Sequence, residues 1–309
     1  MDQTDSSVVQ AGLFNFIAFR VVTVSTGALE QYSEVRPRLF GIAYRMLGSA
    51  ADAEDLLQDV WLRWQNYDHA EVTNPGAFLA KITTRLAINA SQTARARHET
   101  YVGPWLPEPV DTSADPQLGA ERDAGLEIGV LVLLEKLTPA ERAAYILREA
   151  FDYPYPQIAD VIQVSVESAR QLVSRARKHL TAERRTPVSA EEQRQLLTAF
   201  VAAAKDGDMA KLEELLAADV VSYADSNGKV RGASRVPVLG GLALAKTIRA
   251  YASWFWTGAE ITWAQVNGEA AALLRRDGEI YCVISIAASA DGIDQVFWIM
   301  NPDKLAAFR

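Results

Sequence analysis

"QIADVIQVSVESARQLVSRARKHL", residues 157 to 180, reads as two helices joined by a tight turn. Ile158, Val161 and Ile162 make one apolar face, and Gln163-Val164 supply the turn. Ser165 stands where the next helix needs a cap. Val166, Ala169, Leu172, Val173, Ala176 and Leu180 then recur at the helical period as an inner stripe. This is a helix-turn-helix pattern. Its outer face carries Ser168, Gln171, Ser174, Arg175 and Lys178, with Arg170 and Arg177 on the flanks. Such side chains read base edges in a groove and hold phosphates. A helix that only packed on a neighbour would have no use for so many outward cations.

The 309-residue chain as a whole has the opposite character, with a formal net charge of −8. That balance opposes DNA binding by overall attraction. The charge is uneven, however. From Val72 to His98 there is no acid, while Lys81, Arg85, Arg95 and Arg97 are present; from Arg170 to Arg185 the only acid is Glu183. Local cationic surfaces on an acidic chain imply phosphate contacts at chosen places and affinity supplied by another partner. No apolar run reaches the ~18 residues of a membrane span. The single Cys282 excludes a disulfide within the chain, and His69, His98 and His179 are too scattered for a metal site. No cofactor or membrane is expected, and the compartment is expected to be the cytoplasm. The stretch "AGLFNFIAFRVVTVSTGA" at 11–28 has Arg20 in its middle and no preceding base. It makes a poor signal peptide, so residues 1–28 are expected to form a disordered extension.

Three folded segments follow. Residues 29–100 read as helical, with a break at Gly48, a capping box from Ser49 to Asp52, and a stripe of Leu56, Leu57, Val60, Trp61 and Trp64. Asn74 and Pro75 open the next helix. Residues 101–119, "YVGPWLPEPVDTSADPQLG", hold four prolines and no helical period. This linker is expected to be extended, at ~3.1 Å per residue, with Trp105 and Leu106 docked on a surface. Residues 120–184 are helical again; Thr138, Pro139 and Glu141 form a capping box with proline at the first helical position. Residues 189–309 change pattern. Two helices, a strand "VVSYA" and a third helix lead into alternating runs punctuated by Asn267-Gly268, Asp277-Gly278 and Asp291-Gly292. Those pairs are hairpin turns, and the segment reads as an α+β domain with a curled antiparallel meander.

At this point the residues resemble a known family. "RLFGIAYRMLGSAADAEDLLQDVWLRW" is similar to the start of domain two of the extracytoplasmic-function sigma factors, and "SVESARQLVSRARKHL" to the recognition helix of their domain four. The third segment resembles the SnoaL-like, NTF2-type cone, a combination similar to the SigJ-type group. "WLPEP" at 105–109, "DSNGK" at 225–229 and "NPDKL" at 301–305 sharpen the likeness, although Ser226 and Asn227 stand where that group has glycines.

The resemblance implies a fold of two all-α sigma domains followed by a cone-shaped α+β domain. It implies a promoter-recognising subunit of bacterial RNA polymerase. Asp52, Asp55, Gln58, Asp59 and Trp64 would dock on core enzyme; the plain alternative for the acids is a solvated face. Asn74, Lys81, Arg85 and Asn89 would meet the proximal promoter element. Ser168, Arg170, Gln171, Ser174, Arg175, Arg177 and Lys178 would meet the distal one. Trp105, Leu106, Pro107, Glu108, Pro109, Asp225, Gly228, Lys229, Asn301, Pro302, Asp303 and Lys304 would join the cone to the sigma domains. The cone would thereby act as an intramolecular regulator in place of a separate anti-sigma protein. Two rival readings stand beside this one. The cone could be an enzyme of cyclase or isomerase type, with Tyr223 and Asp225 as an acid/base pair. Alternatively the chain could be an ordinary repressor or activator, which would leave the acidic helix and proline linker without a role.

Overall fold

The computed structural model of the chain describes residues 26–113, 126–183 and 185–306. The expected extension lies outside the described residues except for its last three positions, where the first helix has already begun. That helix, α1, spans Thr26–Leu47. Gly48, at φ +66°, ends it, and its amide donates to Tyr44 O at 2.7 Å. The second helix, α2 (Ala50–Gln65), starts at once because Ser49 Oγ accepts from the Asp52 amide at 3.1 Å. Ala53, Leu56, Leu57, Val60 and Trp64 form its buried stripe. After a short 3₁₀ turn, α3 runs over Pro75–Glu99, with Asn74 Oδ1 accepting from Ala77 N.

Four helices make up the second helical segment. The first, α4 (Ile128–Leu134), is followed by α5 (Pro139–Glu149), where both halves of the Thr138–Glu141 capping box are present. Next come α6 (Tyr155–Ile162) and α7 (Val166–Glu183). Between them Gln163 takes a left-handed conformation, φ +59°, and Ser165 Oγ accepts from Ser168 N at 3.1 Å. The helix-turn-helix therefore forms where its periodicity predicts.

The two helical segments on either side of the linker contribute to one continuous apolar core running from Ala28 to Leu180. Helices α1 and α3 pack directly on α5, and α3 also packs on α6. Arg142 fastens the junction, donating to Met46 O, Leu134 O and Glu135 at 2.6–2.8 Å. Arg38 adds a bond to Phe151 O at 3.1 Å and lies over the Tyr153 ring.

The third domain opens with α8 (Ala190–Asp206) and α9 (Met209–Leu215). Strand β1 (Leu216–Asp225), the short β2 (Val238–Leu239) and helix α10 (Gly241–Phe255) follow. A meander of β3 (Glu260–Val266), β4 (Glu269–Arg276), β5 (Glu279–Ser289) and β6 (Gly292–Ile299) precedes the terminal turn α11 (Pro302–Leu305). The six-stranded sheet has the order β2-β1-β6-β5-β4-β3. The meander is antiparallel, as its turns predict, but β1 joins β6 in parallel, Tyr223 opposite Phe297. Helices α8 and α10 line one face of this cone, over a core that includes Phe200, Ile284 and Val296. The other face receives Leu106 of the linker and Ile128 of α4.

Candidate functional site

The candidate recognition surface is built on α7, whose apolar stripe Ala169, Leu172, Val173, Ala176 and Leu180 is buried. This orientation leaves Arg170, Gln171, Ser174, Arg175, Arg177 and Lys178 exposed, while Ser168 is half-buried beside its cap. Three of the arginines are held by the helices beneath. Arg175 bonds Glu141 at 3.0 Å, Arg177 bonds Glu149 at 2.7 Å, and Arg170 lies over the Tyr155 ring at 5.5 Å. Burial would raise the Glu141 carboxyl, but hydrogen bonds from Thr138 and Arg175 hold it below its ordinary value.

Of the residues expected to meet the proximal element, Lys81 and Arg85 lie on α3 and are partly covered. Lys81 Nζ grips both carboxylate oxygens of Asp160, at 2.8 and 2.6 Å. Arg85 donates to the carbonyls of Asp160 and Val161, each at 2.9 Å, at the C-terminus of α6, where the helix dipole favours a cation. Two cations assigned to one promoter element thus bind the helix-turn-helix assigned to the other. Asn89 is exposed, and Asn74 caps α3 through its side chain.

On α2, Asp55, Gln58 and Asp59 share the exposed face, with Asp52 half-buried at its start. Trp64 corrects the sequence reading. Its indole is fully buried and donates to Ala28 O at 3.0 Å, so it packs the core and offers nothing to a partner. The large apolar residue beside the acids is Leu62, 49% exposed.

The linker motif and the two cone motifs converge on one buried cluster. Lys304 Nζ meets Asp225 Oδ2 at 2.7 Å, with side-chain exposures of 6% and 0%. The same carboxylate accepts from Leu106 N at 2.8 Å and from the Tyr101 hydroxyl. Lys304 also donates to Leu106 O and lies over the Trp105 ring at 4.4 Å. Asn301 caps α11 and donates to Tyr101 Oη at 2.8 Å. Lys229 and Asp303 pair at the surface. Gly228, at φ +69°, sits where an added Cβ would meet Val102 at 3.0 Å. Burial pushes the Tyr101 phenol far above its ordinary value, reinforced by Asp225, so it stays a donor. Burial also lowers the Lys304 ammonium, against the pull of Asp225.

Glu108 faces the other way. Its carboxylate accepts from Ser49 Oγ and from the amides of Ala50 and Ala51 at 2.6–3.1 Å, capping α2. Pro107 and Pro109 on either side of it are buried. Of the residues proposed from sequence to join the cone to the sigma domains, Trp105 and Leu106 meet Asp225 and Lys304, and Asn301 reaches the same cluster through Tyr101, whereas Glu108 bonds α2. Tyr101 and Asn267 were missed. The Asn267-Gly268 pair reads as a hairpin turn, and it is one, with Asn267 at φ +56°. Yet Asn267 is fully buried. It donates to Tyr44 Oη at 2.7 Å and Leu126 O at 3.0 Å, and accepts from Val110 N at 2.9 Å. A polar turn residue gives no sign in sequence that another domain covers it.

The acid/base reading of Tyr223 and Asp225 fails on the same contacts. Every approach to the Asp225 carboxylate is taken by Tyr101, Leu106 and Lys304, and Tyr223 stacks on Phe297 at 5.8 Å. Among the described residues no helix is long and apolar enough to cross a membrane.

Comparison with known proteins agrees with this layout. Residues 31–97 match the Sigma-70 region 2 family, and residues 129–180 match Sigma-70, region 4. The chain is 34% identical to ECF RNA polymerase sigma factor SigJ of Mycobacterium tuberculosis, over 89% of this chain and 92% of that protein. It is 27% identical to the probable ECF RNA polymerase sigma factor SigI of the same species, over 89% and 93%. The crystal structure of the Mycobacterium tuberculosis SigJ protein superposes with a TM-score of 0.72 at 30% identity, covering 90% of this chain and 98% of that one.

Proposed function

This chain belongs to the extracytoplasmic-function RNA polymerase sigma factors, and from that premise we propose that its SnoaL-like domain regulates promoter access by holding the linker. The family function is DNA-templated transcription initiation. Core polymerase binds the Asp55, Gln58 and Asp59 face of α2, with Asp52 at its edge, supplying the affinity that a net charge of −8 denies to DNA contacts alone. Helix α3 meets the proximal element through Asn74, Lys81, Arg85 and Asn89, and α7 reads the distal one through the exposed residues named above.

The observation that carries the regulatory reading is the Asp225–Lys304 pair closed on the main chain of Leu106. It fixes the linker while Lys81 and Arg85 are occupied by α6. In this closed arrangement the two DNA-reading surfaces cannot be spaced along a promoter; binding core enzyme must draw them apart. The cone plays intramolecularly the part of an anti-sigma protein. A polymerase factor of this kind works in the cytoplasm.

Run-off transcription with purified core enzyme and a randomised promoter library tests the scheme. Asp55→Arg should abolish core association with the fold intact, and normal transcription by that variant would remove the docking role. Asp225→Asn, which loosens the linker, should raise run-off at limiting core enzyme. Output equal to that of the unaltered chain, with intact core binding, would overturn the regulatory role.

A further inference from the structure

The cone carries an open-mouthed cavity of about 540 Å³ that lies outside the Asp225–Lys304 cluster. Its size falls within the range of small-molecule sites. The wall is aromatic: Tyr251, Trp254 and Phe255 from α10, Trp256 just beyond it, and Trp298 from β6. Trp298 is fixed by its Nε1 bond to Ser222 Oγ at 3.0 Å and by an edge-on contact with Phe255 at 5.6 Å. Tyr251 and Trp254 stand at the mouth, 38% and 46% exposed, ring against ring. Soluble proteins seldom leave such rings together in water without a use for them.

The charges are equally selective. Among the described residues, Arg231 and Arg235 are the only ionisable groups on the wall apart from the Tyr251 phenol, and no carboxylate lines it. Both arginines are exposed, and neither makes an ion pair or hydrogen bond among the described residues. Elsewhere the arginines are largely committed, as Arg85, Arg142, Arg175, Arg177 and Arg185 show. Two uncommitted guanidinium groups over an aromatic cavity, in a chain of net charge −8, select a planar apolar body bearing an anionic group.

The cavity is joined to the linker cluster by main chain. Ala224 and Met300 line it, and each directly precedes a cluster residue, Asp225 and Asn301. The Met300 amide donates to Asp225 O at 2.8 Å. The loop carrying both arginines also holds Asn227, which accepts from Val102 N at 3.3 Å, and Arg235 Cα lies 3.6 Å from where a Cβ on Gly103 would stand. We propose that this cavity is an effector site for a small aromatic carboxylate of two or three rings, whose binding shifts β1, β6 and the arginine loop and so changes the hold on the linker. The regulatory half rests on the linker reading above; the binding half stands without it.

The probes are 2-naphthoate and its uncharged counterpart 2-naphthylmethanol, titrated calorimetrically into the full-length chain. Naphthoate should bind saturably at one site, about tenfold tighter than the alcohol. Arg231→Gln with Arg235→Gln, both exposed and safe for the fold, should bring the acid down to the alcohol. Thr247→Trp, which fills the cavity from α10, should remove both. Equal affinities for acid and alcohol in the unaltered chain, no saturable binding, or naphthoate binding that survives Thr247→Trp would each overturn the site. The coupling is read separately, by hydrogen exchange at the Val102 and Leu106 amides, which should change severalfold on saturation. Binding with unchanged exchange there would overturn the effector role. No arm uses polymerase, so failure here is distinct from failure of the sigma reading.

Discussion

At Lys304 an ammonium and a carboxylate are withdrawn from water together, and the cost is met only because each finds further partners: Leu106 O and the Trp105 ring on one side, Leu106 N and the Tyr101 hydroxyl on the other. Removing one partner is far more damaging than removing both. Lys304→Met, which strands the buried Asp225 carboxylate, should destabilise the cone by about 3–5 kcal/mol in denaturant unfolding. Adding Asp225→Leu should restore most of that loss; a double variant as unstable as the single one would refute the pairing argument. Glu141 makes the corresponding case for pH. Its folded carboxyl titrates below the ordinary glutamate value, so its stabilisation is complete above that value and fades as pH falls through the depressed one. Acid unfolding of Glu141→Gln should therefore be flatter with pH below about 4.5 than that of the unaltered chain.

Elements show what a single sequence can and cannot say. The second helix of the helix-turn-helix was legible because six apolar residues at one period leave no other face for burial, and every one of them faces inward. The same logic places Trp64 inside, two turns of the stripe after Leu57 and one after Val60; the family likeness puts it outward, and periodicity is the better guide. Helix partners were not legible. An apolar face announces that it will be covered, not by what, so the packing of α3 on α6 and the shared core were invisible. The contact itself is built lightly. The Lys81–Asp160 pair is half exposed, 30% and 64%, and such pairs contribute about 0–1 kcal/mol. Lys81→Met should thus leave unfolding nearly unchanged yet shift the closed–open balance, seen as a longer distance between fluorophores attached at positions 89 and 174. An unaltered distance distribution would show that the pair does not hold the two surfaces together.

For the whole molecule the question is why three patterned segments behave as one body. Linker, cone and both sigma domains meet at Asn267, whose side chain bonds Tyr44, Val110 and Leu126, one residue from each of three otherwise separate stretches. Its backbone is left-handed, so Asn267→Gly removes the amide group without straining the turn. What disappears is then only the joint. Stranding the buried Val110 amide and Leu126 carbonyl should cost about 2–4 kcal/mol. The form of the loss matters more than its size. If the joint couples the domains, the unaltered chain should give a single calorimetric peak and the variant a cone transition resolved from a helical one, because neither core loses a packing atom. If the joint is merely one more buried polar contact, the single peak should move to lower temperature and remain single. Only the first outcome fits a chain in which the cone governs the sigma domains through the linker, since a regulator must be able to part from what it restrains.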